Sequence, residues 1–282
     1  MSQFTFFPNM HWRNLVLNFP ESDHHSLPPS SWRVTQKINE NIISYTQEEA
    51  EERKQLPLAC AEFECETLED SSNKAILIVY MEIPCEDTEC AAEGTYETPL
   101  CVRVEFTAHY LLTLNGCRYS PGAIQYKEET QTSGDCHAFM PGGKIYYLVI
   151  GKLPGVPLGN GLISYTEDGR ISFEGLFWNL SREERDQIRL AFQDAYSEHI
   201  RSKATIAFEM LKRLFWDKDS GEVYIQGPFE PLDLTDMGIP RSGQLNPYGP
   251  KVLKIWGLAI APKGEVNYDV PIDCLEQLGW IL

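Results

Sequence analysis

Apolar residues recur with two different periods along the chain, and the change of period separates a strand-rich first half from a second half with a well-marked helix. Residues 57–65 and 74–83 alternate or are β-branched, and the polar residues 70–73 between them predict a β-hairpin. Apolar positions at helical spacing follow at 99–114. The Ser-Pro-Gly turn at 120–122 then predicts a return into another strand.

The strongest helix signal in the second half is the pair Ser181 and Glu184, which has the spacing of a capping box. Residues 216–225 predict a hairpin in which Asp217 and Asp219 form the turn. The apolar residues after the capping box recur at helical spacing and predict a core-facing helix. That face consists of Ile188, Ala191, Phe192, Ala195, Tyr196 and Ile200.

Less regular segments are predicted where glycine, proline and polar residues accumulate. Residues 127–143, which include His137, are expected to form an exposed loop before a strand. Residues 231–250 predict an extended loop, and 252–260 a closing strand or helix. The segment 272–282 predicts a short docked helix.

Composition narrows the classes of function. The chain has 282 residues, 43% hydrophobic content and a formal net charge of −17, which describes a globular protein that repels phosphate backbones. Nucleic acid is therefore not expected as a partner. No apolar run approaches the length of a membrane span and the first twenty residues lack a compact apolar core, so no membrane partner and a cytoplasmic location are predicted.

The eight cysteines are expected to be free thiols in a reducing compartment. The Cys60/Cys65 and Cys85/Cys90 spacings are wider than those of most zinc knuckles, so no metal site is predicted. Walker, Rossmann, Gly-x-Ser-x-Gly and His-Glu-x-x-His motifs are absent from the sequence.

Residues 206–230 carry the most informative pattern. Residues 214–217 and 221–225 resemble the two strands that follow a catalytic loop, and 153–158 read Leu-Pro-Gly-Val-Pro-Leu, like the turn after a hinge strand. In these features the chain resembles the protein kinase and aminoglycoside phosphotransferase superfamily, and in particular fungal kinase-like proteins. The resemblance extends over roughly residues 57–235.

The residues that carry phosphoryl transfer in that superfamily are replaced in this chain. The resemblance puts Phe208 at the catalytic Asp, Arg213 at the metal-binding Asn and Pro228 at the second metal-binding Asp, immediately before Phe229 and Glu230. None of the three can accept the hydroxyl proton or bind Mg²⁺ as the original residue does. The phosphate-binding Lys would lie near Ile78 or Tyr80, and no Lys occurs there.

The resemblance implies an α+β, two-lobed, protein-kinase-like fold. Residues 1–150 would form a small β-rich lobe with an N-terminal extension, and 151–282 a hinge and a mainly helical lobe. The former nucleotide cleft would be mostly apolar, with Glu105, Arg213 and Glu230 as candidate catalytic groups. Neither a metal nor a cofactor is expected. The candidate ligand-binding residues are Ile78, Tyr80, Ile150, Phe208, Pro228 and Phe229.

Three functions are compatible with this pattern. The first is a protein whose cleft binds an apolar small molecule and isomerises or cyclises it without ATP, by orientation and acid–base assistance. The second is a non-catalytic pseudokinase that presents surfaces to a protein partner. The third is a phosphotransferase with rearranged residues, in which Glu209, Asp217 or Asp233 substitutes.

Overall fold

The computed structural model describes residues 5–21, 28–87, 98–132, 139–206, 210–233, 246, 248–264 and 266–282. Contacts divide the chain into two compact units. The first comprises Met1–Phe106 and Ala123–Lys152, and the second Thr107–Gly122 and Leu153–Leu282. Helix α3 begins in the first unit and ends in the second.

The first unit is built on an antiparallel six-stranded sheet with the strand order β1-β2-β3-β4-β6-β5. Its helices and strands are α1 Asn9–Trp12, β1 Val16–Phe19, β2 Ser30–Ile43, α2 Gln47–Arg53, β3 Leu58–Thr67, β4 Lys74–Glu82, the first half of α3 Leu100–Leu114, β5 Ala123–Thr130 and β6 Lys144–Gly151.

The predicted hairpin is confirmed as β3 and β4. The backbone N–H of Thr67 donates to the carbonyl of Asn73, and the Asp70 carboxylate accepts from the N–H and hydroxyl of Ser72. Strands β4 and β6 are almost continuously apolar because apolar clusters cover both faces of the sheet. One face packs on aromatic residues that the N-terminal segment supplies, among them Phe7, Trp12 and Phe19.

The second unit combines helices with short strands. Its elements are the end of α3, β7 Val156–Pro157, β8 Ile163–Tyr165, β9 Ile171–Phe173, α4 Arg182–Arg201, β10 Ala204–Ile206, β11 Leu214–Asp217, β12 Glu222–Ile225, β13 Phe229–Pro231 and α5 Pro250–Ile255. Short 3-10 turns lie at Phe177–Asn179, Leu211–Arg213, Ile272–Cys274 and Glu276–Leu278. The strands form the sheets β12-β11-β7, β10-β13 and β8-β9.

Local sequence determines the longest helix of this unit. Ser181 caps α4 by accepting from the backbone N–H of Glu184, whose carboxylate accepts from the N–H of Ser181. The predicted apolar face is confirmed, since Ile188, Phe192 and Ala195 are fully buried. The hairpin of β11 and β12 and the turn role of Asp217 are confirmed as well.

Three predictions about secondary structure need correction. The α+β class is confirmed, but among the described residues the second unit is not mainly helical, because its short apolar segments pair as strands. The segment 127–143 is not one loop: β5 continues to Thr130, where Lys127 pairs with Tyr147 in β6. His137 lies outside the described residues. The tail 272–282 forms 3-10 turns in place of an α-helix.

Among the described residues, no helix combines the length and the apolar character that a membrane span requires.

Candidate functional site

A buried hydrogen bond joins strand β4 to helix α3 in the first unit. The hydroxyl of Tyr80 on β4 donates to a carboxyl oxygen of Glu105 on α3, and the two residues are only 8% and 7% exposed. Burial raises the pKa of Tyr80 well above its usual value, and the negative charge of Glu105 adds to this effect. Tyr80 is therefore a neutral donor at physiological pH.

Apolar side chains surround this pair on the same face of the sheet. Ile78 lies two residues before Tyr80 on β4, and Ile150 lies on the adjacent strand β6, opposite Ile76. All belong to one buried cluster, so the structure brings together the four site residues that the sequence predicts in this unit. The rest of the cluster is Leu58, Val102, Tyr146 and Leu148.

Strand β3 adds a row of carboxylates to this face. Cys60, Glu62, Glu64 and Glu66 occupy alternate positions, and Glu62 is directly opposite Ile78. Lys152 binds Glu64 with a nitrogen–oxygen distance of 2.6 Å, and this hydrogen bond lowers the pKa of Glu64. Arg33 pairs with Glu66 at 3.2 Å, while Glu62 has no ion pair within the described part of the chain. The row is thus acidic and only partly neutralised.

The thiol of Cys60 faces Tyr80 across the hairpin and is not a reactive group. Burial, followed by the charge of Glu105, raises its pKa far above the usual value, which keeps it protonated. Cys65 belongs to the cluster on the opposite face of the sheet, so these two cysteines do not share a metal site. No group of three or more metal-ligating side chains occurs among the residues that the structure describes.

The remaining predicted site residues belong to the second unit. Arg213 ends a 3-10 turn, and its carbonyl accepts from the N–H of Gln226. Pro228 follows a cis peptide bond and precedes β13, in which Phe229 pairs with Ile206 and Glu230 with Thr205. Phe208 lies outside the described residues.

Phe229 packs in the core of the second unit against two histidines that sequence reasoning missed. It is 1% exposed, and its ring centroid lies 5.1 Å from that of His109 and 5.2 Å from that of His199. Nδ1 of His109 is 3.1 Å from the carbonyl oxygen of Pro121. Burial lowers the pKa of both imidazoles to about 4, so both are neutral at pH 7.

These neutral histidines predict a loss of stability in mild acid. The unfolded chain takes up protons near pH 6.5, whereas folded His109 and His199 stay neutral down to about pH 4. The stability that the neutral histidines contribute is therefore fully present above about pH 6.5. As the pH falls from about 6.5 to about 4, the free energy of unfolding decreases by up to about 1.4 kcal/mol per pH unit for each histidine. Histidine NMR titration of the folded protein checks the two lowered pKa values. Titration of both buried rings near pH 6.5 would contradict it.

A cavity of about 340 Å³ lies beside α4 in the second unit, at a place that the sequence did not indicate. One wall is the face of α4, and the other consists of α5 and the C-terminal segment. The charged lining residues are Arg182, Asp186, Arg189, Asp273 and Glu276, and the apolar ones include Leu190, Leu253 and Ile272.

Arg189 is the buried cation of this cavity, with 4% of its surface exposed. Its Nε donates to the carbonyl of Leu258 at 2.8 Å, and Nη1 to Asp186 at 2.6 Å. The guanidinium lies over the ring of Phe177, at 5.2 Å from its centroid. Nη2 has no hydrogen-bond partner in the described part of the chain. Burial lowers the pKa of Arg189 to about 10, which leaves it charged at pH 7.

Two solved kinases resemble this structure. The PK-1 kinase of Cydia pomonella granulovirus is 10% identical, with a TM-score of 0.37 over 71% of this chain and 55% of the kinase. Vaccinia related kinase 3 is 11% identical, with a TM-score of 0.37 over 80% of this chain and 53% of the kinase. The chain thus spans just over half of each kinase, and a TM-score of this size is too low to assign fold or function. No family model and no curated protein matches the chain.

Proposed function

We propose that this chain has a kinase-like fold that has lost phosphoryl transfer and serves in binding. The observation that carries the proposal is the buried hydrogen bond between Tyr80 and Glu105. Active kinases place a Lys on the strand and a Glu on the helix that follows it, and the Lys holds the nucleotide phosphates. A neutral phenol fixes the helix to the strand equally well but offers no charge to a phosphate.

The acidic row on β3 supports the same proposal. Glu62, Glu64 and Glu66 share the sheet face with Ile78 and Tyr80, and only two of the three carboxylates are paired. Carboxylates beside a nucleotide would repel its phosphates, and the repulsion is strongest where protein excludes water. The proposed ligand of this face is therefore an apolar small molecule without phosphate groups.

Ile78, Tyr80 and Ile150 form the apolar part of the proposed ligand face, and Glu105 is its acid–base group. If the protein isomerises or cyclises its ligand without ATP, a carboxyl group in an apolar environment is suited to move the proton. This activity extends the binding proposal and depends on it.

An exposed hairpin favours the second candidate, a protein-interaction module. Tyr165 on β8 pairs with Ile171 on β9, yet they are 71% and 59% exposed, while Ser172 on the other face is buried. Apolar surface directed outward is typical of an interface. The net charge of −17 disfavours a second copy of this chain and favours a partner with a basic surface.

A thermal-shift panel separates these functions, because a ligand that binds only the folded state stabilises it by RT ln(1 + [L]/Kd). Stabilisation by apolar metabolites and not by Mg·ATP supports the small-molecule function. Stabilisation by neither favours the interaction module. Stabilisation by Mg·ATP would contradict the proposed loss of phosphoryl transfer.

A further inference from the structure

Two asparagine–glycine pairs occur in the chain, and the structure places them in different surroundings. Asn115–Gly116 follows helix α3, whereas Asn160–Gly161 lies between β7 and the hairpin of β8 and β9. Both asparagines are exposed. A glycine has no Cβ to shield its backbone nitrogen, so this nitrogen reaches the carboxamide carbon Cγ of a preceding asparagine more easily than in any other pair.

Hydrogen bonds oppose this approach at the end of α3. The side-chain amide of Asn115 donates to the carbonyl of Leu111 at 2.8 Å and to that of Ser202 at 3.3 Å. The backbone N–H of Gly116 donates to the carbonyl of Thr113 at 3.1 Å. Attack by the Gly116 nitrogen requires these bonds to break first, so the fold protects Asn115.

The pair before β8 lacks this protection. The backbone N–H of Gly161 donates no hydrogen bond within the described part of the chain. Oδ1 of Asn160 accepts from the backbone N–H of Leu162 at 2.8 Å, which folds the side chain over the peptide unit that follows it. Nδ2 of Asn160 is 3.4 Å from a carboxylate oxygen of Glu174, a long hydrogen bond.

Two neighbouring groups stabilise the charges that the attack creates. When the nitrogen of Gly161 attacks Cγ of Asn160, Oδ1 gains negative charge, and the N–H of Leu162 already donates to this atom. The side chain of Lys212 runs beside Gly161, since its Cδ and Nζ lie 3.0 and 3.6 Å from the position of a Cβ on this glycine. A positive charge there favours loss of the amide proton.

We infer that Asn160 is a site of spontaneous deamidation, which converts it to aspartate and isoaspartate through a cyclic imide. A bond forms between the nitrogen of Gly161 and Cγ, the bond from Cγ to Nδ2 breaks, and Nδ2 leaves as ammonia with the proton of the Gly161 amide. Water then opens the imide at either carbonyl. The reaction needs only this chain and water, so it goes beyond the proposed function and does not depend on it.

Deamidation changes the charge and the backbone at a place with little free space. Either product sets a second carboxylate against Glu174. Isoaspartate also lengthens the backbone by a methylene group next to Gly159, where an added Cβ would lie 2.8 Å from the backbone nitrogen of Lys212. On Gly175, a Cβ would lie 2.4 Å from Cα of Gly159. We therefore expect isoaspartate to loosen the hairpin that these residues flank.

Incubation of the full chain in mildly alkaline buffer, followed by trypsin digestion and mass spectrometry, tests the inference. The tryptic peptides 104–118 and 153–170 each contain a single asparagine and no glutamine, so the mass increase from amide to acid identifies the residue. We expect Asn160 to convert about tenfold faster than Asn115 or more, to both aspartate and isoaspartate. An unincubated sample corrects for conversion during digestion. Conversion of Asn160 no faster than that of Asn115, or to aspartate alone, would overturn the inference.

The same incubation in guanidinium chloride shows whether the fold causes the difference. Unfolding removes the hydrogen bonds that protect Asn115 and separates Lys212 from Gly161. The two dipeptides should then convert at similar rates. If Asn160 keeps its full lead over Asn115 in the unfolded chain, the local sequence causes the difference and the structural argument is wrong.

The variant Asn160→Gln tests the effect on the hairpin. It keeps the carboxamide but blocks the reaction, because its longer side chain closes the imide ring far more slowly. After incubation, residues 160–175 of the unchanged chain should exchange their amide hydrogens faster than the same segment of the incubated variant, whereas fresh samples should match. Equal exchange after incubation would contradict the expected loosening.

Discussion

Replacing Tyr80 by phenylalanine is expected to lower the free energy of unfolding by about 2–3 kcal/mol. The substitution removes the hydroxyl that donates to Glu105 and leaves the ring in the apolar cluster. Its cost is large because a buried carboxyl group loses a donor that water cannot replace. Chemical denaturation at pH 7 measures the change.

The chain contains a matched control for this prediction. The hydroxyl of Tyr224 donates to Glu222 at 2.7 Å, but this pair is partly exposed. We expect Tyr224→Phe to cost less than about 0.5 kcal/mol, because water takes over the hydrogen bond. If Tyr80→Phe costs no more than Tyr224→Phe, the buried pair does not hold α3 to the sheet.

Gly155→Ala is expected to destabilise the second unit by about 3 kcal/mol. Gly155 has φ of +79°, and a Cβ there would lie 2.3 Å from the carbonyl oxygen of Trp216. Backbone strain and a clash with backbone therefore act together, since the turn after β6 runs directly against β11. Thermal and chemical unfolding of the variant measure the loss.

Gly169→Ala separates the two causes. Gly169 also has φ of +79°, but a Cβ at this position would meet nothing within 4 Å. We expect this variant to lose only about 1 kcal/mol, from backbone strain alone. Equal losses at Gly155 and Gly169 would show that the close approach to Trp216 is unimportant.

Local signals in the sequence predicted much of the secondary structure. The Ser181–Glu184 capping box and the turn at Asp70 depend on residues a few positions apart, and the structure confirms both. The hairpin of β11 and β12 was equally predictable from its turn residues. The N-terminal strands β1 and β2 could not be predicted in this way, because they are defined by strand pairing and by aromatic packing on distant strands.

The contacts between the candidate residues of the first unit could not be predicted from the sequence. Glu105, Ile78, Tyr80 and Ile150 were identified as site residues, yet the bond between Tyr80 and Glu105 joins positions 25 residues apart. Neither secondary-structure propensity nor the period of the apolar residues predicts a hydrogen bond between residues so far apart in the sequence. The glutamates of β3 alternate with other residues in the sequence. The register with β4 determines that they lie on the same face of the sheet as Ile78 and Tyr80.

Arg189 and His199 were missed although α4 itself was predicted. Both lie within its apolar face, Arg189 directly after Ile188 and His199 three residues after Tyr196. A polar residue inside an apolar helical stripe was the signal that could have found them. Their burial depends on partners far along the chain, such as Leu258 for Arg189 and Phe229 for His199.

The central claim is the proposal that this chain does not bind nucleotide for phosphoryl transfer, and calorimetric titration with Mg·ATP tests it most directly. Tyr80 offers no charge, and the carboxylates of Glu62, Glu64 and Glu66 oppose phosphate binding. We expect no saturable heat, or a dissociation constant weaker than about 1 mM. A dissociation constant in the micromolar range would contradict the account.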